Sequence, residues 1–350
     1  MEEAAPSLRS GEEWRQGRSD AIKKFLGDYA PSENEDLLSQ MVVTICRLAA
    51  DDADRGDLKI LNSALRELRY AFKVFAPYAD VRKVSMFGSS RTPEDRAQYL
   101  EAKKFAELIQ RKGWMVITGA GDGIMRAGHH GATRKASFGV AISLPFEQKA
   151  NDVIADDPKL VNFKYFFTRK LMFVKEANAI VLLPGGFGTQ DEGFEAITLV
   201  QTIKTSPTPI VLCDRPGGTY WQHWRTWVEK ELLGNGMIDP DDLRLFHVTD
   251  HAEDAVAEVL KFYRQYHSSR FVGDEFVMRL NRPLSVETLS KINDTFADIT
   301  TGGRFEQRDR PLDGEDGAYP DKARLVFNFN RRNAGRLRIL IDEINEAFDD

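Results

Sequence analysis

The stretch Ala179-Ile-Val-Leu-Leu-Pro184-Gly-Gly-Phe-Gly-Thr189-Gln-Asp-Glu192 joins an apolar run to a glycine-rich turn and then to a helix that carries Glu195, Ile197 and Leu199. Five consecutive apolar residues read as a strand covered on both faces. Gly185, Gly186 and Gly188 let the backbone turn tightly and approach a ligand without a Cβ in the way. A helix start offers free amide donors and a partial positive charge, and Thr189 adds a hydroxyl. Strand, glycines, threonine and helix in this order make an anion site suited to a phosphate. A plain strand-to-helix turn would not need that order. The Gly-x-x-x-x-Gly-Lys-Ser/Thr spacing is missing, so this is not a Walker A loop. It also follows the fourth strand of its series, not the first, which disfavours a dinucleotide fingerprint.

Outward from this loop, short apolar runs alternate with helical patterns. The runs are Val84–Phe87, Trp114–Thr118, Gly139–Leu144, Ala179–Leu183, Pro209–Cys213 and Leu245–Val248. Helical stretches lie near 94–112, 123–136, 168–177, 190–203, 220–233 and 251–265, and an extended piece with alternating aromatics covers Asn162–Phe167. The alternation predicts an α/β, Rossmann-like, mostly parallel sheet with helices on both faces, over residues 79–267. Residues 1–78 read as a helical extension. Leu38, Met41, Val42, Ile45 and Leu48 form one helical face there; Leu58, Leu61, Leu65, Leu68 and Phe72 form another, ended by Pro77. This extension is a candidate helical cap or dimerisation element.

Residues 268–350 read as a small α+β domain of order β-α-β-β-α. Phe276–Leu280 is a strand. Ser285 caps a helix with Val286, Leu289, Ile292, Phe296 and Ile299 at helical spacing. A strand near Arg304–Arg310 and another with Leu325, Phe327 and Phe329 follow. Asn333 then caps a helix with Leu337, Leu340, Ile341 and Ile344 inward. The Gly-, Asp- and Pro-rich loop Pro311–Pro320 is expected to be exposed. Arg331, Arg332, Arg336 and Arg338 form a basic cluster, read first as a solvated helix face and second as an anion site.

Two further strand ends carry small residues: Gly88-Ser89-Ser90, and Thr118-Gly119-Ala120-Gly121-Asp122-Gly123-Ile124-Met125. In open parallel sheets, ligands bind at the carboxyl ends of the strands, so these segments are expected to converge on the glycine loop. Glu192 and Glu195, three apart, fall on one helix face. Helix-start carboxylates are often dipole partners. Two of them beside an anion loop also fit ribose hydroxyls, or the positive charge that develops on a ribosyl ring. Arg169 and Lys170 stand where cations oppose the helix dipole, which raises the chance that Arg169 serves an anion or a leaving base.

Composition narrows the classes. The 350 residues carry a net charge of −6 and no long basic run, so no footprint for nucleic acid is visible. Cys46 and Cys213 make neither a disulfide framework nor a metal cluster, and Cys213 reads as a core residue. No signal peptide and no membrane-spanning run is recognisable. A cytoplasmic protein without membrane partner is expected.

Together these motifs resemble the LOG (Lonely Guy) family, cytokinin-activating phosphoribohydrolases and related nucleotide nucleosidases. The resemblance rests on Phe87-Gly-Ser-Ser90, Gly119–Met125, Thr168-Arg-Lys170 and Pro184–Glu192, and covers about residues 81–265. Many such relatives bear the label lysine decarboxylase, yet nothing here suggests a pyridoxal phosphate site. The resemblance implies a Rossmann-like homodimer or higher homo-oligomer with neither metal nor cofactor. It implies that Gly185, Gly186, Gly188 and Thr189 hold the 5′-phosphate of a nucleoside monophosphate. Arg169 and Glu192 would be the catalytic pair. Gly88, Ser89, Gly119, Gly121, Met125, Lys170 and Glu195 would complete the substrate pocket. Ala120, Asp122 and Arg126 depart from the family pattern and bear on base preference. The long arms set the chain apart from short cytokinin-activating members, so a purine monophosphate, AMP first, is the expected substrate. The competing readings are a nucleotide sensor or cofactor carrier without catalysis, and a dinucleotide-dependent oxidoreductase. The oxidoreductase needs a Gly-x-Gly-x-x-Gly that Gly88-Ser-Ser-Arg-Thr-Pro does not supply.

Overall fold

The computed structural model describes residue 22 and residues 24–27, 34–143 and 150–347. The chain divides into two compact units, one ending at Leu65 and one beginning at Arg66. Helix α1 (Glu35–Ala50) and the first half of α2 (Arg55–Phe75) belong to the first. Both helices form where the apolar spacing predicts them. No residue of α1 is buried, however, and Leu38, Met41 and Ile45 of its apolar face are exposed. The expected helix content before residue 22 lies outside the described residues.

The second unit is built on a seven-stranded sheet. Its strands are β1 (Lys83–Phe87), β2 (Met115–Thr118), β3 (Ser137–Ile142), β4 (Leu160–Phe163), β5 (Ala179–Leu182), β6 (Ile210–Cys213) and β7 (Phe246–Thr249). They pair in the order β4-β3-β2-β1-β5-β6-β7, all parallel. Every residue of β1, β2, β5 and β6 is buried, the polar Lys83, Ser85 and Thr118 included, as strands covered on both faces require. The alternating helices are α3 (Ala97–Arg111), α4 (Ile124–Ala132), α5 (Phe166–Lys175), α6 (Phe187–Gln201), α7 (Tyr220–Trp227) and α8 (Ala252–Phe262). Ala71 and Phe75 of α2 join this core, and the Phe75 ring stacks on Phe138 at 4.3 Å.

The chain runs from β1 outward to β4 and then returns to the other side of β1 with β5. The carboxyl ends of β1, β2 and β5 therefore flank the topological switch point, where open parallel sheets leave a crevice. The loops that follow these strands are the three Gly- or Ser-rich segments.

Some boundaries differ from the sequence pattern. The extended aromatic piece Asn162–Phe167 is a strand only to Phe163, and Phe166 already opens α5. Glu67 of α2 accepts from Lys164 N (3.1 Å) and Thr168 Oγ1 (2.7 Å), and so ties the start of this helix to α2. Strand β3 ends at Ile142; Leu144, expected in it, lies outside the described residues.

A second, antiparallel sheet contains β8 (Tyr266–Val272), β9 (Glu275–Leu280), β10 (Glu306–Arg308) and β11 (Ala323–Phe327) in the order β10-β11-β9-β8. Helices α9 (Val286–Thr295) and α10 (Ala334–Glu346) contribute to its own apolar cluster. The order is thus β-β-α-β-β-α. Strand β8 escaped the sequence pattern because its residues alternate weakly; Gly273, at φ +60°, closes its hairpin with β9. Ser285 caps α9 by accepting from Thr288 N. Val286 is 86% exposed, not inward, while Phe296 and Ile299 are buried just past the end of α9. Asn333 occupies the cap position of α10 without a side-chain cap bond.

The loop Pro311–Pro320 is not simply exposed, since Glu315 within it is fully buried. The four arginines of the supposed basic cluster disperse. Arg331 lies over Phe271, Arg336 pairs with Asp298, and Arg338 is buried with Glu258 and Asp342. With two of the four, Arg336 and Arg338, paired to different carboxylates, the cluster does not act as one basic patch. Among the described residues no helix is long and apolar enough to cross a membrane.

Candidate active site at the switch point

The carboxyl ends of β1, β2 and β5 open into a cleft of about 650 Å³, within the size range of small-molecule sites. Its walls come from the loop after β1 (Gly88, Ser89), from Gly119 and Met125 after β2, from Arg169 on α5, and from Gly186, Gly188, Thr189 and Glu192 at the start of α6. These nine sequence candidates converge as expected.

The loops hold one another in place. Ser89 N donates to Pro184 O (3.1 Å) and Ile124 N to Ser89 O (3.0 Å). A Cβ on Gly185 would lie 2.1 Å from Thr189 Oγ1, and one on Gly123, at φ +61°, would lie 2.3 Å from Ser89 O. Both glycines are required by close approach. Ala120 interrupts the second glycine segment and still adopts φ +64°. Asn151 compensates: its backbone N and Nδ2 both donate to Ala120 O, at 2.8 and 3.0 Å. The buried His129 contacts Asn151, Thr118 and Phe138 O, and burial lowers its pKa. Arg126 points instead to Glu94 and Asp152.

Helix α6 starts after Gly186, and the amides of Phe187 and Gly188 find no backbone acceptor among the described residues. With the hydroxyl of Thr189 they form the donor set that a phosphate takes. Tyr220 Oη donates to Gly185 O (2.6 Å) and accepts from Gln190 Nε2 (2.7 Å), tying the loop to α7.

Glu192 lies on the inner side of α6, only 9% exposed. Among the described residues its carboxylate accepts no hydrogen bond, and Lys170 Nζ stays 3.9 Å away. Burial is the main reason its pKa is pushed up to about 7; Lys170 and Arg169 draw it back. Arg169 is anchored by Nε donating to Val140 O (3.1 Å) and lies over the Phe173 ring at 5.2 Å. Burial lowers its pKa, opposed by Glu192. An anchored cation, an under-solvated carboxylate and free amides thus face one space.

Four other candidates stand outside the lining. Gly121 packs on Met125, and Gly185 packs on Thr189. Lys170 and Glu195 are bonded to each other at 2.5 Å. The sequence reading missed Arg91, Phe166, Phe187 and Asp191, all of which line the cleft. Phe187 is 96% exposed. Its place inside the glycine run was the available signal, since a large apolar residue there has no core to enter.

A family model described as "Possible lysine decarboxylase" matches residues 118–259. A cytokinin riboside 5′-monophosphate phosphoribohydrolase of Mycobacterium tuberculosis is 29% identical over 46% of this chain and 84% of its own length. One of Arabidopsis thaliana is 25% identical over 55% of this chain and 89% of its own. The solved structure of the Moco carrier protein of Chlamydomonas reinhardtii aligns at a TM-score of 0.37 and 19% identity, over 52% of this chain and 96% of that one.

Proposed function

We propose that the cleft hydrolyses the N-glycosidic bond of a nucleoside 5′-monophosphate, as the match over residues 118–259 and the likeness to LOG-family phosphoribohydrolases suggest. Two relatives named as phosphoribohydrolases support hydrolysis. The observation that carries the reading is Glu192, a nearly buried carboxylate with a pKa raised to about 7, placed on the same helix start as the free amides. A general base works best when its pKa lies near the working pH.

In this reading the 5′-phosphate sits on the amides of Phe187 and Gly188 and on the Thr189 hydroxyl. Water attacks C1′ while the bond to the base nitrogen breaks, its electron pair leaving with the base. Glu192 takes a proton from the water and stabilises the positive charge building on the ribose ring. The departing base takes up a proton, so the products are free base and ribose 5-phosphate. Arg169 orients the nucleotide from its fixed position on Val140 O. Phe166, Phe187 and Met125 offer faces on which a base can stack. AMP is the preferred substrate over cytokinin precursors, because the long arms set this chain apart from short cytokinin-activating members.

The test is a panel of AMP, GMP, IMP, CMP, UMP and N6-isopentenyl AMP, with free bases resolved by chromatography. Base release led by AMP and lost in Arg169→Ala and Glu192→Ala supports the reading. Tight nucleotide binding without base release supports a sensor or carrier instead.

A further inference from the structure

Lys170 follows Arg169 in sequence but does not line the cleft. From α5 its ammonium reaches three carboxylates of α6: Glu195 Oε2 at 2.5 Å, Asp191 Oδ2 at 2.8 Å and Glu192 Oε2 at 3.9 Å. Its side chain is 16% exposed, so these contacts lie in partly dry surroundings. An ammonium has three donors, and Asp191 and Glu195 engage two of them.

We propose that Lys170 is a positioning residue that clamps α5 to α6 and acts on the reaction through Glu192, without touching the nucleotide. This rests on the hydrolase reading of the cleft. The charged groups facing Glu192 are few. Arg169 and Lys170 come from α5, Asp191 and Glu195 from its own helix, and Arg91 from the loop after β1 shares the cleft lining. Burial raises the Glu192 pKa, Lys170 and Arg169 lower it, and Glu195 and Asp191 raise it again. Lys170 is therefore the counter-charge that lets three carboxylates share just over one helical turn. Without it, Glu192 would hold its proton to higher pH.

The sign follows directly. A base must be ionised to act, so removing the cation moves the acidic limb of the rate profile upward. An opposite charge at this range is worth about 1–3 pH units. The experiment compares wild type, Lys170→Met, Lys170→Arg and Glu195→Gln, with circular dichroism confirming the fold. The readouts are kcat for base release against pH, KM for AMP, and the Glu192 carboxyl titration followed by carbon-13 NMR, assigned with Glu192→Gln.

Lys170→Met is expected to shift both the limb and the Glu192 midpoint upward by about 1–3 units. Near neutral pH its kcat should fall at least about fivefold, recovering at high pH, with KM nearly unchanged. Lys170→Arg keeps the charge and restores the limb. Glu195→Gln removes a like charge and moves the limb the other way, a second check in a variant that retains Lys170. An unmoved Glu192 midpoint in folded Lys170→Met, or a raised KM with an unmoved limb, overturns the proposal. If wild type released no base, the hydrolase reading would fall, while the Glu192 titration would still support or refute the link to Lys170.

Discussion

Glu192 and Glu315 are both buried, and their surroundings treat them oppositely. Glu315, fully buried behind the second sheet, accepts from Arg279 Nε (2.8 Å), Arg324 Nε (3.3 Å) and Leu312 N (2.9 Å). Burial opposes its charge, but these bonds outweigh burial and hold the carboxyl below its ordinary pKa. Glu192 is nearly as buried, accepts no hydrogen bond from the described residues, and is pushed up to about 7. Burial alone therefore says little about role. A satisfied buried carboxylate locks structure; an unsatisfied one facing a cleft is left free to exchange a proton.

The comparison breaks most visibly in activity. Glu192→Gln should lower kcat for base release by about 10²–10⁴-fold without lowering thermal stability, since burial disfavours its charge more than the nearby cations favour it. Glu315→Gln should do the reverse. It strands Arg279 and Arg324 and should cost about 3–5 kcal/mol in denaturant unfolding, leaving the rate per folded molecule near wild type. A thermally fragile Glu192→Gln with normal kcat would dissolve the distinction.

Stability against pH sharpens it further. The folded pKa of Glu315 is depressed, so its contribution is present above the unfolded value and is lost as pH falls through the folded one. The folded pKa of Glu192 is raised from 4.5 to about 7, so its charge penalises folding increasingly as pH rises across that window. Melting temperatures from pH 4 to 8 should show Glu192→Gln gaining on wild type toward high pH. The deficit of Glu315→Gln should shrink toward low pH. The smallest effect belongs to Glu67, which holds the start of α5 to α2. Glu67→Ala should cost about 0.5–1.5 kcal/mol of stability and change kcat only a few-fold, by loosening the helix that carries Arg169.

What could be read from the residues follows the same division. Continuous apolar runs such as Ala179–Leu182 and Ile210–Cys213 have one comfortable environment, the middle of a parallel sheet, and they took it. The glycine loop was legible because its order of strand, turn, hydroxyl and helix is local in the chain and recurs unchanged in the fold. Side-chain direction was not. The resemblance implies substrate contacts for Lys170 and Glu195, and no residue pattern announces the 2.5 Å contact between them. Tyr220, which supports Gly185 from α7, gives no local sign of doing so. Glu315 sits in a loop whose composition reads as exposed, and its burial depends on two arginines from separate strands. Long-range pairing of charges has no periodicity for a sequence to display.

The account turns on Glu192 acting as the base of an N-glycosidic hydrolysis. Its most direct test is kcat/KM for adenine release from AMP, which reports the free enzyme's base, measured from pH 5 to 9 in wild type and in Glu192→Gln. The account predicts a rate that rises with a midpoint near 7, as the pKa of about 7 requires, and a slow variant that lacks this limb. A wild-type rate flat across the range, or the same limb retained in Glu192→Gln, would contradict it.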